Sequence, residues 1–432
     1  MRRLLLLAAL AAVSCGARTP KEETMAQLRE RVFAVAQAQA VYMDSLLMAK
    51  MPGQAGHDGG VNVMAGQNIV TVMAGSDRPS PCPRTFQGDT LVTSDIGWWT
   101  SGFYPGVLWQ IFEETKDPRF LRLAVRHTLP LAGLLDRETD HDIGFQLMCS
   151  FGKMWKHTCP PGHLYSTTEL TTYPCEPGDS LFPMTVLARG ADKLAARFVP
   201  EAGVIRSWNW GAWNIPVIID NMMNLELLKD WGDWRIADKH AVTTIQNHFR
   251  EDGTTWHLVD YADDGTVLGK QTVQGYADDS AWARGQAWAL YGYAMMASGK
   301  TNPLYERTAW KLAQWLMAHL PEDGVPYWDF SQNDYKDASA GAIIACGLLK
   351  MWDLQGRKAD DPALAMAERI LRTLASPEYL AEPRTNGGFL LKHSVGNLPG
   401  RTEVDVPLTY ADYYFLEALT LYPVSATSLN NN

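Results

Sequence analysis

Asp220 stands where a carboxylate is costly. It follows Pro216-Val217-Ile218-Ile219 and precedes Asn221-Met222-Met223-Asn224-Leu225, with no Lys or Arg within a helical turn. Burial without a counter-charge disfavours the ionised form, raises the pKa and lets a carboxyl hold a proton near neutral pH. A general acid needs that property, and Asn224, four residues on, shares its helix face. An Asp at a helix start can equally be a cap, and the residue alone leaves both readings open. Asp142, in His141-Asp142-Ile143-Gly144-Phe145, occupies a matching loop-to-helix position with the same two readings. Paired carboxylates facing a sugar bond are the usual equipment of glycoside hydrolysis.

A second cassette runs from Gln274 through Arg284 to Trp288. Arg284 and Trp288 are four apart, so they share one face of a helix. A guanidinium among small apolar neighbours needs an anionic partner, either a structural Asp or a substrate carboxylate that matches its fork. Trp288 offers a ring for stacking. His257 closes Arg250-Glu251-Asp252-Gly253-Thr254-Thr255-Trp256 and is open to a structural or a functional role.

These residues need helices to carry them. Polar loops lead into apolar helices after Trp99-Thr100-Ser101-Gly102, Asp142, Asp220, Asp279-Ser280, Asp337-Ala338-Ser339 and at Tyr410-Ala411-Asp412, and Pro- or Asn-containing turns lead to second, amphipathic helices. About six helical hairpins with their polar motifs at one end describe an all-α toroid whose motifs share one mouth. Strand signals are confined to short pieces, notably 256–261 before a turn at Asp263-Asp264-Gly265. Residues 156–180 form a long Pro- and Thr-rich stretch without helical rhythm.

The chain has 432 residues, 46% of them hydrophobic, with 16 Trp and a net charge of -10. That describes a folded protein with no basic patch for nucleic acid. Met1-Arg2-Arg3, an apolar run to Val13, then Ser14-Cys15-Gly16 reads as a lipoprotein signal with Cys15 lipidated, too short to span a bilayer. It places the protein outside the cytoplasm, in the periplasm or at an outer membrane. The expected organisation is signal and tether at 1–24, one catalytic domain at 25–424 and a polar tail at 425–432. Cys159 and Cys175 bracket a loop that a disulfide could close, while Cys346 lies in a helical apolar run. With neither CxxC nor HExxH, a zinc site lacks support.

Six motifs together resemble the unsaturated glucuronyl hydrolases, glycoside hydrolase family 88. They are WTSGFYPGVLW at 99–109, HDIGF at 141–145, IIDNMMNLELL at 218–228, REDGTTWH at 250–257, QGYADDSAWARGQAW at 274–288 and ADYYFLEAL at 411–419. The resemblance spans most of the chain and implies an (α/α)6 barrel. It also implies an oligosaccharide substrate, left by a polysaccharide lyase, whose non-reducing end is a 4,5-unsaturated uronic acid. The reaction implied is hydration of the C4=C5 vinyl ether, with no metal or organic cofactor. Asp220 then matches the general acid/base and Asp142 the second essential Asp. Trp99 and Trp288 match walls of the sugar site, and His257, Gln274 and Arg284 match polar groups that hold it. Two departures stand out: the stretch 159–180, expected to reshape the mouth, and Val273, where relatives often carry His. The competing readings are an unsaturated rhamnogalacturonyl hydrolase acting on pectin fragments, a sugar 2-epimerase on the same barrel, and a non-catalytic glycan-binding lipoprotein.

Overall fold

The computed structural model describes residues 23–50, 60–65, 68–73, 81–158, 181–298 and 302–424. Six helical segments form an inner ring: α2 (Phe103–Thr115), α4 (Ile143–Met148) continued by α5 (Phe151–Thr158), α7 (Asn221–Trp231), α9 (Ala283–Ala297), α11 (Ala338–Leu354) and α13 (Thr409–Leu421). Five outer helices follow them in sequence: α3 (Pro118–Thr128), α6 (Phe182–Ala195), α8 (Trp234–His248), α10 (Pro303–His319) and α12 (Pro362–Leu374). The sixth outer position belongs to the N-terminal helix α1 (Met25–Ala49), which packs on α2. The sixth hairpin expected after Tyr410 is therefore assembled from the two ends of the chain. Contact between α13 and α2 closes the ring.

Burial separates the two rings. Every residue of α9 is buried, whereas α12 buries only the stripe Ala363, Leu364, Ala367, Ile370, Leu371 and Leu374. A helix buried on every side belongs inside and an amphipathic one belongs on the outer ring. Glycine permits close approach at the inner contacts: a Cβ on Gly292 of α9 would come within 2.5 Å of Met222 Cβ on α7. Four of the outer helices, α3, α8, α10 and α12, start on side-chain caps. Asp117, Asp233, Asn302 and Asp361 each accept from the amide two residues on, three of them followed by Pro118, Pro303 and Pro362, whose missing N–H costs nothing at a helix start.

The apolar run before Asp220 is strand rather than helix. Ile215–Ile218 pairs antiparallel with Leu258–Tyr261, which pairs with Val267–Gln271 around the expected turn. The β-branched Val217 and Ile218 favour that conformation, and Asp220 begins the helix only afterwards. Cys346 is buried on α11, its thiol directed at Tyr414 O 3.2 Å away. Cys15, Cys159 and Cys175 lie outside the described residues.

Candidate active site

Asp142 and Asp220 occupy the N-cap positions of α4 and α7, and neither side chain caps its helix. Other groups have taken the first-turn amides. In α7 the Met222 and Met223 N–H groups bond the carbonyls of Ile219 and Asp220, a tight opening turn. In α4 the Gly144 N–H bonds His141 O and the Phe145 N–H bonds Asn224 Oδ1 at 2.8 Å. Neither carboxyl therefore serves as the cap that each residue's sequence position allows. Asp337, by contrast, caps α11 through Ser339 N.

Burial pushes Asp220 up to about 7; Arg284 opposes the shift and Asp142 adds to it. Burial also pushes Asp142 up to about 7, against the Asn224 amide and Arg197, which favour its charge. Asp140, whose Oδ1 accepts from the Asp142 N–H at 2.9 Å, is raised to about 6 by burial and by Asp142. Carboxyls this close in affinity share protons as a set.

The three-stranded sheet delivers His257. Ile219 N–H donates to His257 O, and the Ile218–Leu258 pair holds the ring beside Asp220, with Nε2 3.8 Å from Asp220 Oδ2. The backbone N–H groups of Val273 and Gln274 donate to His257 Nδ1 at 3.1 and 3.3 Å. Nδ1 is thus the acceptor and Nε2 carries the proton. Burial lowers this imidazole to about 3, so it works as a neutral donor. The Trp288 indole N–H also faces Asp220 and favours its charge, without closing a hydrogen bond of ordinary geometry. Asp220 Oδ2, His257 Nε2, Trp288 Nε1 and Asn224 Nδ2 all lack a partner within the protein. Buried polar atoms are seldom left so unless a ligand or water completes them.

Two sequence expectations change here. Trp288 is wholly buried, packed between Phe145 and Tyr414, so it offers its indole N–H and no stacking face. Arg284 meets a structural Asp: its guanidinium bonds Asp337 Oδ2 at 3.2 Å, Gly396 O at 2.6 Å and Val395 O. It holds the 394–406 hairpin, and Gln274 Nε2 donates to the same Gly396 carbonyl at 3.0 Å. Trp99 remains half-buried at the mouth against Tyr410 and Phe145.

Three further tryptophans cluster beside His141 and Ile218. Trp208 stacks on Trp210 with centroids 4.8 Å apart, Trp213 packs on both, and Trp208 meets His141 and Ile218. Trp210 is 61% exposed. The signal was SWNWGAWN, three indoles in six positions of a Gly- and Asn-containing loop. The stretch 159–180, expected at this mouth, lies outside the described residues. Trp155, Lys156 and Met184 line a cavity of about 550 Å3 together with Phe145, Met223, Asp230 and Trp231. Among the described residues no group of three His, Cys, Asp or Glu could hold a metal ion.

An unsaturated glucuronyl hydrolase of Formosa agariphila is 40% identical over 337 residues, covering 74% of this chain and 79% of that protein. The chain belongs to the unsaturated glucuronyl hydrolases. A second member, from a Bacillus species, is 32% identical over 76% of this chain and 87% of its own. The crystal structure of an unsaturated glucuronyl hydrolase specific for heparin superposes with a TM-score of 0.74 at 36% identity, covering 91% of this chain and 97% of that one. No protein-family model matches the chain. As an unsaturated glucuronyl hydrolase the chain is a glycosidase, and its ring of paired helices is the (α/α)6 barrel of that family.

Proposed function

We propose that the protein releases the 4,5-unsaturated uronate from the non-reducing end of lyase-cleaved glycosaminoglycan fragments, with Asp220 as proton donor. The observation that carries this is the pair of acids, each at a helix start, each excused from capping, each pushed by burial up to about 7. A vinyl ether is a weak carbon base and needs such an acid. Asp220 delivers its proton to C4, and positive charge develops at C5 and the ring oxygen. Ionised Asp142 balances that charge. Water adds at C5 and returns a proton to Asp220, so one water is consumed and the acid is restored. The hemiketal then opens and frees the next sugar. His257 Nε2–H and Trp288 Nε1–H are the free donors beside the acid, suited to the uronate oxygens. Trp99 flanks the reacting ring, and exposed Trp210 offers a face to the sugar beyond it. The relative specific for heparin supports a glycosaminoglycan source.

Loss of the ultraviolet absorbance of the C4=C5 bond in unsaturated heparin and chondroitin disaccharides is the test. Asp220→Asn is expected to bind disaccharide and turn none over; substantial residual turnover overturns the assignment. Activity confined to an unsaturated rhamnogalacturonan disaccharide would favour the pectin reading. We further propose that Cys15 anchors the protein to a membrane outside the cytoplasm, as the basic start, short apolar run and Ser14-Cys15-Gly16 suggest. Cys15→Ser should move it from the membrane fraction to the soluble one, and an unchanged distribution refutes the anchor.

A further inference from the structure

We propose that Asn224 is a positioning residue that frees Asp142 for the reaction by taking over its helix cap from the neighbouring helix. The inference rests on the reading of Asp142 given above. An N-cap Asp ordinarily turns its carboxylate back onto the amide two or three residues along. For Asp142 those amides are Gly144 N–H and Phe145 N–H. His141 O takes the first and Asn224 Oδ1 the second, at 2.8 Å. Asp142 has no amide left to cap, and its side chain makes none of the usual bonds.

The geometry is specific to this pair of helices. Asn224 is wholly buried one turn along α7, the helix that Asp220 begins. Gly144 lies against it so closely that a Cβ there would stand 2.5 Å from Asn224 Cα and 2.6 Å from its Oδ1. Because Oδ1 accepts from a backbone N–H, the amide is oriented and Nδ2 is the end that faces the Asp142 carboxyl. Nδ2 closes no hydrogen bond of ordinary geometry in the protein, and its donor character favours the charged form of Asp142. One side chain thus aims Asp142 and favours its ionisation, while Asp220, on the same helix, keeps the proton. The two acids are alike in sequence position and burial, and Asn224 is a group that distinguishes them.

Asn224→Ala reopens the Phe145 amide, and Asp142 is expected to rotate onto it. kcat should fall by roughly 30-fold or more, with KM changed less than about 3-fold. A packing role alone would not produce a second expected result. Asn224→Ala and Asp142→Ala each leave the amide an acceptor, whereas the double variant leaves none, so its loss of thermal stability should exceed the sum of the single losses. Should Asn224→Ala fail to fold, Asn224→Asp keeps the shape and the acceptor but loses the donor. Its acid limb in kcat/KM should then move up by about one pH unit or more, because Asp142 ionises later. Undiminished kcat in Asn224→Ala, additive stability losses, or an unmoved acid limb in Asn224→Asp each overturn the inference. Asp142→Asn separates the two levels. If it stays active, the reading of Asp142 fails; if it is inactive while Asn224→Ala is not, only the role of Asn224 fails.

Discussion

Burial sets the protonation of the acids, and their shared environment sets how the enzyme responds to pH. Both carboxyls are pushed up to about 7 by desolvation, and the charge of Asp142 raises Asp220 further, so they titrate as a pair and the working form carries one proton between them. Below neutrality Asp142 also takes a proton and can no longer balance charge at C5. Above it Asp220 loses the proton that C4 requires. The kcat/KM profile should be a narrow bell with its maximum near 7, and a flat profile between pH 5 and 9 would contradict the paired-acid reading. The same shift has a cost in stability. The folded pKa of Asp220 lies above its unfolded value of 3.8, so the native state holds the extra proton between those pH values and loses stability as pH rises through that window. Asp220→Asn carries no such charge and should be more stable than the parent at pH 8 by ~1–3 kcal/mol. The difference should vanish below pH 4, and urea unfolding of the two proteins at both pH values measures it.

Helices and hairpins decide which of the candidate residues reach the mouth. The acids were legible because each is an unneutralised Asp before an apolar helix, a local pattern. Their release from capping was not legible, since the groups that replace them come from other parts of the chain: Asn224 lies 79 residues from Phe145. Arg284 shows the same limit. Its need for an anion was readable from its apolar neighbours, but Asp337 and the Val395 carbonyl lie 53 and 111 residues away. The rhythm of six helix starts was readable, whereas the strand before Asp220 was not, because a short apolar run carries no period that separates strand from buried helix. The position of Arg284 leads to a prediction that differs from the one its sequence invites. Arg284→Met strands a fully buried Asp337 and two carbonyls, which should cost ~3–5 kcal/mol of stability. Arg284→Met/Asp337→Asn should recover part of that loss. A stable Arg284→Met protein whose only defect is a raised KM would return the residue to direct contact with the uronate.

A closed ring makes the ends of the chain matter to the middle. The sixth outer helix is the first helix in sequence, so the barrel is complete only when α1 docks beside α2 and the C-terminal quarter of the chain. One buried side chain in that docking answers three backbone groups. Gln39 Nε2 donates to Phe389 O at 2.6 Å and Thr385 O at 3.1 Å, and its Oε1 accepts from Arg384 N–H at 2.7 Å. Gly388 lies against the α1 backbone at Met43, so the two segments are in close contact there. Contacts between residues some 345 positions apart carry a large loop-closure entropy, and a side chain that answers three backbone groups at once helps to offset it. Gln39→Ala leaves those buried groups without partners and should destabilise the whole domain by ~2–4 kcal/mol. The acids sit on α4 and α7, away from α1, so kcat at 25 °C should be retained while the unfolding midpoint drops in a single transition. If α1 instead unfolds separately at low denaturant while the rest stays active, it is an accessory to the barrel and the ring does not depend on its closure.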